Sequence, residues 1–111
     1  MGDITSTLLI KALDGLSARQ LATAENIANA NSPGFRPLRV SFEAALAAAA
    51  RRGEGAVLTV EPLTTGAALP EPVRVDLELA TASATAGRYS AITELLNRQM
   101  QIESLAITGG R

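Results

Sequence analysis

The chain has 111 residues, of which 47% are hydrophobic and only 3% aromatic, and its formal net charge is −1. Ten basic side chains face eleven acidic ones, so there is no excess positive charge to neutralise phosphates, which argues against nucleic acid as a partner. The absence of cysteine and histidine removes thiolate chemistry, the commonest general base and the commonest metal ligand. We therefore expect one domain of closely packed helices that is not an enzyme and uses no cofactor, metal or small-molecule substrate.

Residues from about 3 to 30 predict one long helix, for which Asp3, Thr5 and Ser6 are candidate N-caps. Several apolar residues repeat at a spacing of eleven, which is close to three helical turns, so the apolar stripe should run nearly parallel to the helix axis. Two interpretations stay open: a hairpin helix within a soluble bundle, and a helix that packs against neighbouring chains. The stripe comprises Leu9, Leu13, Leu16, Leu21, Ala24 and Ile27.

A polar stop follows this helix. Pro33 disfavours the α conformation for Ser32 and has no backbone donor, whereas Gly34 can adopt a positive φ. Asn29 and Asn31 tolerate helix C-caps and the left-handed conformation better than most residues. The segment therefore predicts a sharp helix end followed by a turn, and an ordinary C-cap is its simplest interpretation.

The next stretch predicts an extended segment and a short helix. Residues 35–40 should be extended because Pro37 opposes a helix, and Ser41 is the expected N-cap of a helix of about eleven residues. Arg51-Arg52 then lie at its C-terminus, where the helix dipole favours positive charge, and Gly53 ends it. A phosphate site is the alternative interpretation of the arginine pair.

Residues 53–72 contain three of the five prolines and break the helical pattern. Residues 56–60 predict a short strand that Pro62 ends, and residues 73–75 are its expected hairpin partner. The alternative is a mobile linker that becomes ordered only in an assembly.

Residues from 75 to about 107 predict a second long helix, which ends at Gly109-Gly110. Small residues dominate its first half, and large apolar residues follow three-and-four spacing in its second half. The expected fold is mainly α, with the N- and C-terminal helices packed as an antiparallel, coiled-coil-like pair. The predicted units are the N-terminal helix 1–31, the turn and short helix 32–53, the middle loop or small hairpin 54–74 and the C-terminal helix 75–111.

The stop at residues 26–35 reads Asn-Ile-Ala-Asn-x-x-Ser-Pro-Gly-Phe and resembles the N-terminal signature of the flagellar rod and hook proteins. Near the other end, residues 88–100 resemble the C-terminal helix of proximal rod proteins, the FlgB type, and Val75-Asp76-Leu77 matches the start of that helix. Residues 39–46 resemble a segment that follows the signature, with Ser41 in place of the usual aspartate. The resemblance covers about two-thirds of the chain, and the middle is shorter and richer in proline than in that family.

This resemblance implies a structural subunit of the flagellar basal-body rod, which crosses the periplasm. It also implies export through the flagellar type III apparatus without a cleaved signal, and the N-terminus shows no basic and apolar signal pattern. The implied partners are copies of the chain, other rod proteins, the adapter of FliE type between the MS ring and the rod, and the export gate. The expected assembly-interface residues are Asn26, Ile27, Asn29, Pro33, Gly34 and Phe35 in the turn, and Leu13, Leu16, Leu21, Ile92, Leu95, Leu96, Met100 and Ile102 on the helices.

A helical adapter or export chaperone of the flagellar secretion apparatus is the alternative function. Such a protein would offer a groove to one partner helix. The signature turn distinguishes the two hypotheses, because a chaperone does not need it.

Overall fold

Two long helices frame the chain, and the segment between them folds against the first helix. The structure is a computed structural model that describes residues 3–109. Met1, Gly2, Gly110 and Arg111 lie outside this range, so the Gly110 part of the predicted helix stop does too. The elements in chain order are α1 (Ile4–Ala28), β1 (Leu38–Ser41), α2 (Glu43–Ala50), α3 (Glu54–Leu58), β2 (Leu63–Gly66) and α4 (Val75–Gly109).

α1 starts at a capped residue. The Asp3 carboxylate accepts a hydrogen bond from the Ser6 amide at 3.0 Å, which satisfies one of the free amides of the first turn. This contact selects one of the three predicted caps. The helix ends at Ala28 with Asn29 as its C-cap, slightly before the predicted boundary.

α4 runs antiparallel to α1. Near one end Gln99 Nε2 donates to Asp3 Oδ2 at 3.0 Å, and near the other Gln20 Nε2 donates to the carbonyl oxygen of Ala82 at 3.1 Å. The predicted fold class, a mainly α chain with paired terminal helices, is therefore confirmed. The molecule is elongated and measures 63 × 26 × 14 Å.

The face of α4 that meets α1 follows a seven-residue repeat of mostly small and polar residues. Its positions alternate by four and three, which is the spacing of a left-handed coiled-coil seam. Small side chains let the two backbones approach, but they bury little apolar area. The seam consists of Glu78, Ala82, Thr85, Tyr89, Ile92, Leu96, Gln99 and Glu103, all buried or half-buried except Tyr89.

The apolar core lies between α1 and the middle segment rather than between the two long helices. Val57 is fully buried, although it lies in a segment that was predicted to be a short strand or a mobile linker. From α4, Ile92 packs against this core. The buried hydrophobic residues are Leu16, Ala22, Val40, Phe42, Leu46, Ala49 and Val57.

The short helices differ from prediction at their starts. Ser41 is not an N-cap, because it is the last residue of β1 and Phe42 takes the cap position without a side-chain hydrogen bond. The strand predicted at 56–60 is wrong, because α3 covers most of it and turns Val57 into the core. Gly53, at φ 106°, follows the end of α2, where the sequence predicted a helix stop.

The middle segment contains a two-stranded antiparallel sheet. Leu38 pairs with Gly66, and Ser41 pairs with Leu63. The extended conformation predicted for residues 35–40 is thus confirmed for its second half. The hairpin predicted between residues 56–60 and 73–75 is wrong, because α3 covers most of the first segment and β2 pairs with β1 instead. Because residues 54–66 fold into α3 and β2 against α1 and β1, the linker interpretation is wrong for this part.

Candidate assembly interface

The turn after α1 is held by its own polar side chains. Asn29 Nδ2 donates to the carbonyl oxygen of Glu25 at 2.9 Å, and Ser32 Oγ donates to Asn29 Oδ1 at 3.0 Å. Gly34 has a φ of 76°, which confirms the predicted positive φ. Pro33 and Gly34 are exposed, so the turn presents its tip to solvent.

Phe35 connects this turn to the segment that precedes α4. Its ring is half-buried and lines a cavity of about 260 Å³ together with Pro70 and Pro72. The proline-rich stretch, in which this chain differs from the family pattern, therefore lies against the signature turn.

Asn26 is the buried centre of a polar network that joins three elements. Its side chain is 1% exposed. Nδ2 donates to the carbonyl oxygen of Leu38 at 3.0 Å, and Oδ1 accepts from the Leu38 amide at 2.8 Å. Nδ2 also donates to Glu78 Oε1 at 3.0 Å. One amide group thus fixes α1 to the start of β1 and to the first turn of α4.

Glu78 is a functional candidate that the sequence reasoning missed. It is 6% exposed, and its second oxygen lies 3.4 Å from Arg39 Nη1, so the buried carboxylate has a donor on each side. A buried carboxylate without such partners would be strongly destabilising. One signal was available in the sequence, because Glu78 is the only charged residue between positions 77 and 87.

A second cluster holds α2 against α1. The Phe42 ring lies directly over Gly15, where an added Cβ would come within 2.4 Å of the ring. The Arg19 guanidinium lies 5.0 Å from the centroid of the same ring, within the range of a cation–π contact. Arg19 also donates to the carbonyl oxygen of Val40 at 2.7 Å. The sequence reasoning missed this role of Gly15, because a glycine within an apolar helix carries no sign of its partner.

Arg19 and Glu43 form a two-point ion pair. Both guanidinium nitrogens donate to the carboxylate, one of them at 2.9 Å. These hydrogen bonds lower the pKa of Glu43 from its usual 4.5 to about 2, with smaller contributions from backbone hydrogen bonds and from the positive charge. Glu43 is thus held ionised at the edge of the α1–α2 contact.

The predicted interface residues divide into two groups. Leu16 is buried, Leu13, Ile27 and Leu96 are half-buried, and Ile92 packs on the core. Leu21 does not pack against α4 within the chain, because its side chain is 72% exposed. Three large residues of α4 also face outward, because they lie off the seam: Leu95 (51% exposed), Met100 (55%) and Ile102 (59%).

The chain exposes more surface than a globular monomer of its mass. Its accessible surface is 7146 Å², whereas about 5,800 Å² is usual for 11.5 kDa. The difference of about 1,300 Å² exceeds the roughly 800 Å² that one partner contributes to a standard protein interface. The exposed large side chains on α1 and α4 contribute to this difference.

An apolar groove opens between α1, α2 and α4. Its cavity measures about 520 Å³, which is within the range of natural binding clefts. Two charged residues line it, Glu43, which is paired with Arg19, and Arg88. The apolar walls include Leu8, Leu16, Phe42, Leu46, Ala91 and Ile92.

Comparisons of the chain with protein-family models, curated proteins and solved structures found no match. Within residues 3–109, no cluster of three or more potential ligand side chains is arranged to hold a metal ion. Over the same range, no helix combines the length and apolar character needed to cross a membrane. The site that the geometry defines is an extended protein surface formed by the signature turn, the outward faces of α1 and α4, and the groove.

Proposed function

We propose that this chain is a structural subunit of the bacterial flagellar rod, of the proximal, FlgB type. It assembles with copies of itself and with other rod proteins into the tubular drive shaft. The observation that carries the proposal is the pair of motifs in the right order at opposite ends of the chain. These are the signature at residues 26–35 and the Arg-Tyr…Leu-Leu-Asn-Arg pattern within residues 88–100.

The environment of the signature residues supports this proposal. Asn26 is buried and fully bonded, Asn29 closes the helix, and Gly34 occupies a conformation that favours glycine. The signature residues that make contacts within the chain thus shape the turn. The exposed tip at Pro33-Gly34 can contact other chains.

The distribution of apolar surface also supports an assembling protein. Burying a large aliphatic side chain gives about 1.5–3 kcal/mol, and this chain leaves Leu21, Leu95, Ile102 and Leu105 more than half exposed. Copies stacked side by side would remove these side chains from water. A head-to-tail arrangement of identical copies extends into an open filament, which is the geometry of a rod.

The location and the partners belong to the same proposal. The subunit leaves the cell through the flagellar type III apparatus without a cleaved signal and is incorporated in the part of the rod that crosses the periplasm. Its neighbours there are the adapter of FliE type at the MS ring, the export gate and the following rod proteins. None of these contacts requires a cofactor or catalysis.

A flagellar adapter or export chaperone is the second candidate, and the apolar groove between α1, α2 and α4 favours it. A groove of about 520 Å³ can hold part of an amphipathic partner helix. A chaperone stays in the cytoplasm and leaves its cargo unstable when deleted, whereas a rod subunit is retained in purified basal bodies.

Deletion of the gene, with complementation, tests the function. The rod proposal predicts cells without filaments or complete basal bodies, restored by the wild-type chain, and the chain itself in purified basal bodies. A deletion strain that builds complete rods and swims normally would contradict it. Loss of one exported protein, with the chain absent from basal bodies, would favour the chaperone.

A further inference from the structure

The last turns of α4 extend past the N-terminus of α1. Ser6 Oγ donates to Glu103 Oε2 at 2.7 Å and Gln99 donates to Asp3, so the start of α1 lies level with residues 99–103. α4 continues to Gly109, and residues 104–109, here called the α4 overhang, add about 9 Å of helix. Leu105 and Ile107 in the overhang are each 71% exposed. No described residue of the same chain covers them.

The outward face of this end has the spacing of a docking helix. Leu95, Ile102 and Leu105 are separated by seven and three residues, which places them on one side of α4. Their exposure rises toward the overhang, from 51% to 59% and then 71%. The overhang contains no charged residue, so seating it against an apolar surface desolvates no charge.

The groove between α1, α2 and α4 has matching properties, but the chain cannot fill it with its own overhang. Its walls are mostly apolar, and its two charged lining residues, Glu43 and Arg88, have opposite signs. Ile92 lines the groove, and Leu105 follows thirteen residues later on the same helix, about 20 Å along the axis. Only another molecule can bring an α4 overhang to this groove.

We propose that the groove is the docking site for the α4 overhang of a second copy of this chain, with Ile102 and Leu105 seated on Phe42, Leu46 and Ile92. Both halves of the contact lie on one molecule, and the surplus surface of about 1,300 Å² is larger than one side of a standard interface. Because groove and overhang differ, the contact is head-to-tail and extends into an open chain of copies. The inference rests on the proposed function and specifies one contact between two copies of the subunit.

Cysteine cross-linking tests the contact, because the natural chain has no cysteine. Ala47 lines the groove, and Ala106 is an exposed residue of the overhang. Within one molecule the two are too far apart for a disulfide, which needs Cα atoms within about 7 Å. We expect the double variant A47C/A106C to form a ladder of dimers, trimers and longer species under mild oxidation. A mixture of the two single variants should stop at dimers.

The control pair is A68C/A106C, which moves the first cysteine to an exposed alanine outside the groove. It should form several-fold fewer cross-links than the groove pair. Equal cross-linking of both pairs would overturn the proposal, and so would efficient dimer formation by A106C alone, because that result indicates a symmetric contact between overhangs. A double variant that stays monomeric at the highest soluble concentration would also overturn it.

A matched pair of surface substitutions checks the energetics. Leu105 and Leu69 have the same exposure, 71%, but Leu69 lies in the loop before α4. Leu105→Glu should weaken self-association by about tenfold or more in sedimentation experiments, and Leu69→Glu should leave it unchanged. Equal effects of the two substitutions would contradict a specific role for the overhang.

Cross-linking in purified basal bodies distinguishes a failure of this inference from a failure of the proposed function. If the double variant enters basal bodies and no groove–overhang cross-link forms there, the docking site is wrong and the rod function stands. If the purified chain forms the ladder but never enters basal bodies, the docking site stands and the rod function is wrong.

Discussion

The side-chain amide of Asn26 forms hydrogen bonds with the backbone of β1 in the same way as a neighbouring strand would. Its amide group donates to the carbonyl oxygen and accepts from the amide of Leu38, and the third hydrogen bond reaches Glu78. Removing it leaves several buried polar groups without a partner, which costs more than the loss of the bonds themselves. A single buried residue thus sets the register between α1, β1 and α4.

Replacing Asn26 by alanine should therefore lower the free energy of unfolding by about 2–3 kcal/mol. Urea unfolding at a fixed protein concentration measures this change. Asn31→Ala is the control, since Asn31 is exposed in the turn and its loss should change the free energy of unfolding by less than about 0.5 kcal/mol. Equal effects of the two substitutions would show that the network does not hold the elements together.

Two glycine-to-alanine substitutions should act in opposite directions. In Gly15→Ala the new methyl group must displace the buried Phe42 ring, which should destabilise the chain by about 1–3 kcal/mol. In Gly87→Ala the methyl group meets open space in the middle of α4, and the gain in helix propensity should stabilise by about 0.5–1 kcal/mol. Thermal melting compares them, and a stabilised Gly15→Ala variant would contradict the packing of Phe42 on α1.

The Arg19–Glu43 pair should make stability dependent on acid pH. The pKa of Glu43 is about 2 in the folded chain and near 4.5 in an unfolded one, so its contribution is complete above pH 4.5 and is lost as the pH falls toward 2. Because the Glu43 side chain is 55% exposed, solvent screening limits this contribution to about 1 kcal/mol. A carboxyl titration by NMR should find a depressed pKa that returns toward 4.5 in Arg19→Gln. A normal pKa in the parent chain would rule the pair out.

At the scale of the elements, sequence patterns predicted the helices better than their contacts. The long helices were found because helical periodicity persists over many turns, and the turn at Gly34 was found because proline, glycine and asparagine restrict the backbone locally. The seam was predicted only in part, because Ile92 and Leu96 belong to it whereas Leu21 and Leu95 do not. Small and polar residues form its first half, and large residues such as Leu95 and Ile102 face outward.

The middle segment shows a different limit of sequence-based prediction. Residues 56–60 have strand-like composition, yet burial of Val57 between α1 and α2 favours a helical turn. No partner was predicted for the extended segment at 35–40, because the strand that pairs with β1 is fixed only by how the chain folds after α3. Asn26 was identified from its motif, whereas Glu78, its partner across 52 positions, became evident only when the helices were brought together.

The signature turn makes its own prediction. Gly34 has a positive φ and open space around it, so substitution there costs backbone strain of about 1–2 kcal/mol without a clash. Gly34→Val should block rod assembly and leave export largely intact, because the strain distorts the exposed tip of the turn. Gly34→Asn should be milder, since asparagine tolerates this conformation. Motility and secretion assays measure both effects, and normal swimming of the valine variant would refute a role for the turn in assembly.

At the scale of the whole molecule, the chain is a thin rod with a small core at its middle. The core joins α1 to α2, α3 and the sheet, and α4 is attached through a polar seam and Ile92. The rest of the apolar surface of α4 faces outward, where neighbouring copies can bury it. The shape of the chain and its unburied side chains agree with the proposal that its apolar surface is buried in an assembly.

Electron cryomicroscopy of flagellar basal bodies that are purified from cells expressing this chain tests the proposal most directly. We predict density for the α1–α4 pair in the proximal rod, with the outward side chains of α4 covered by neighbouring subunits and the 26–35 turn in contact with another chain. A proximal rod completely accounted for by other proteins, or a subunit whose α4 faces solvent along its length, would contradict it.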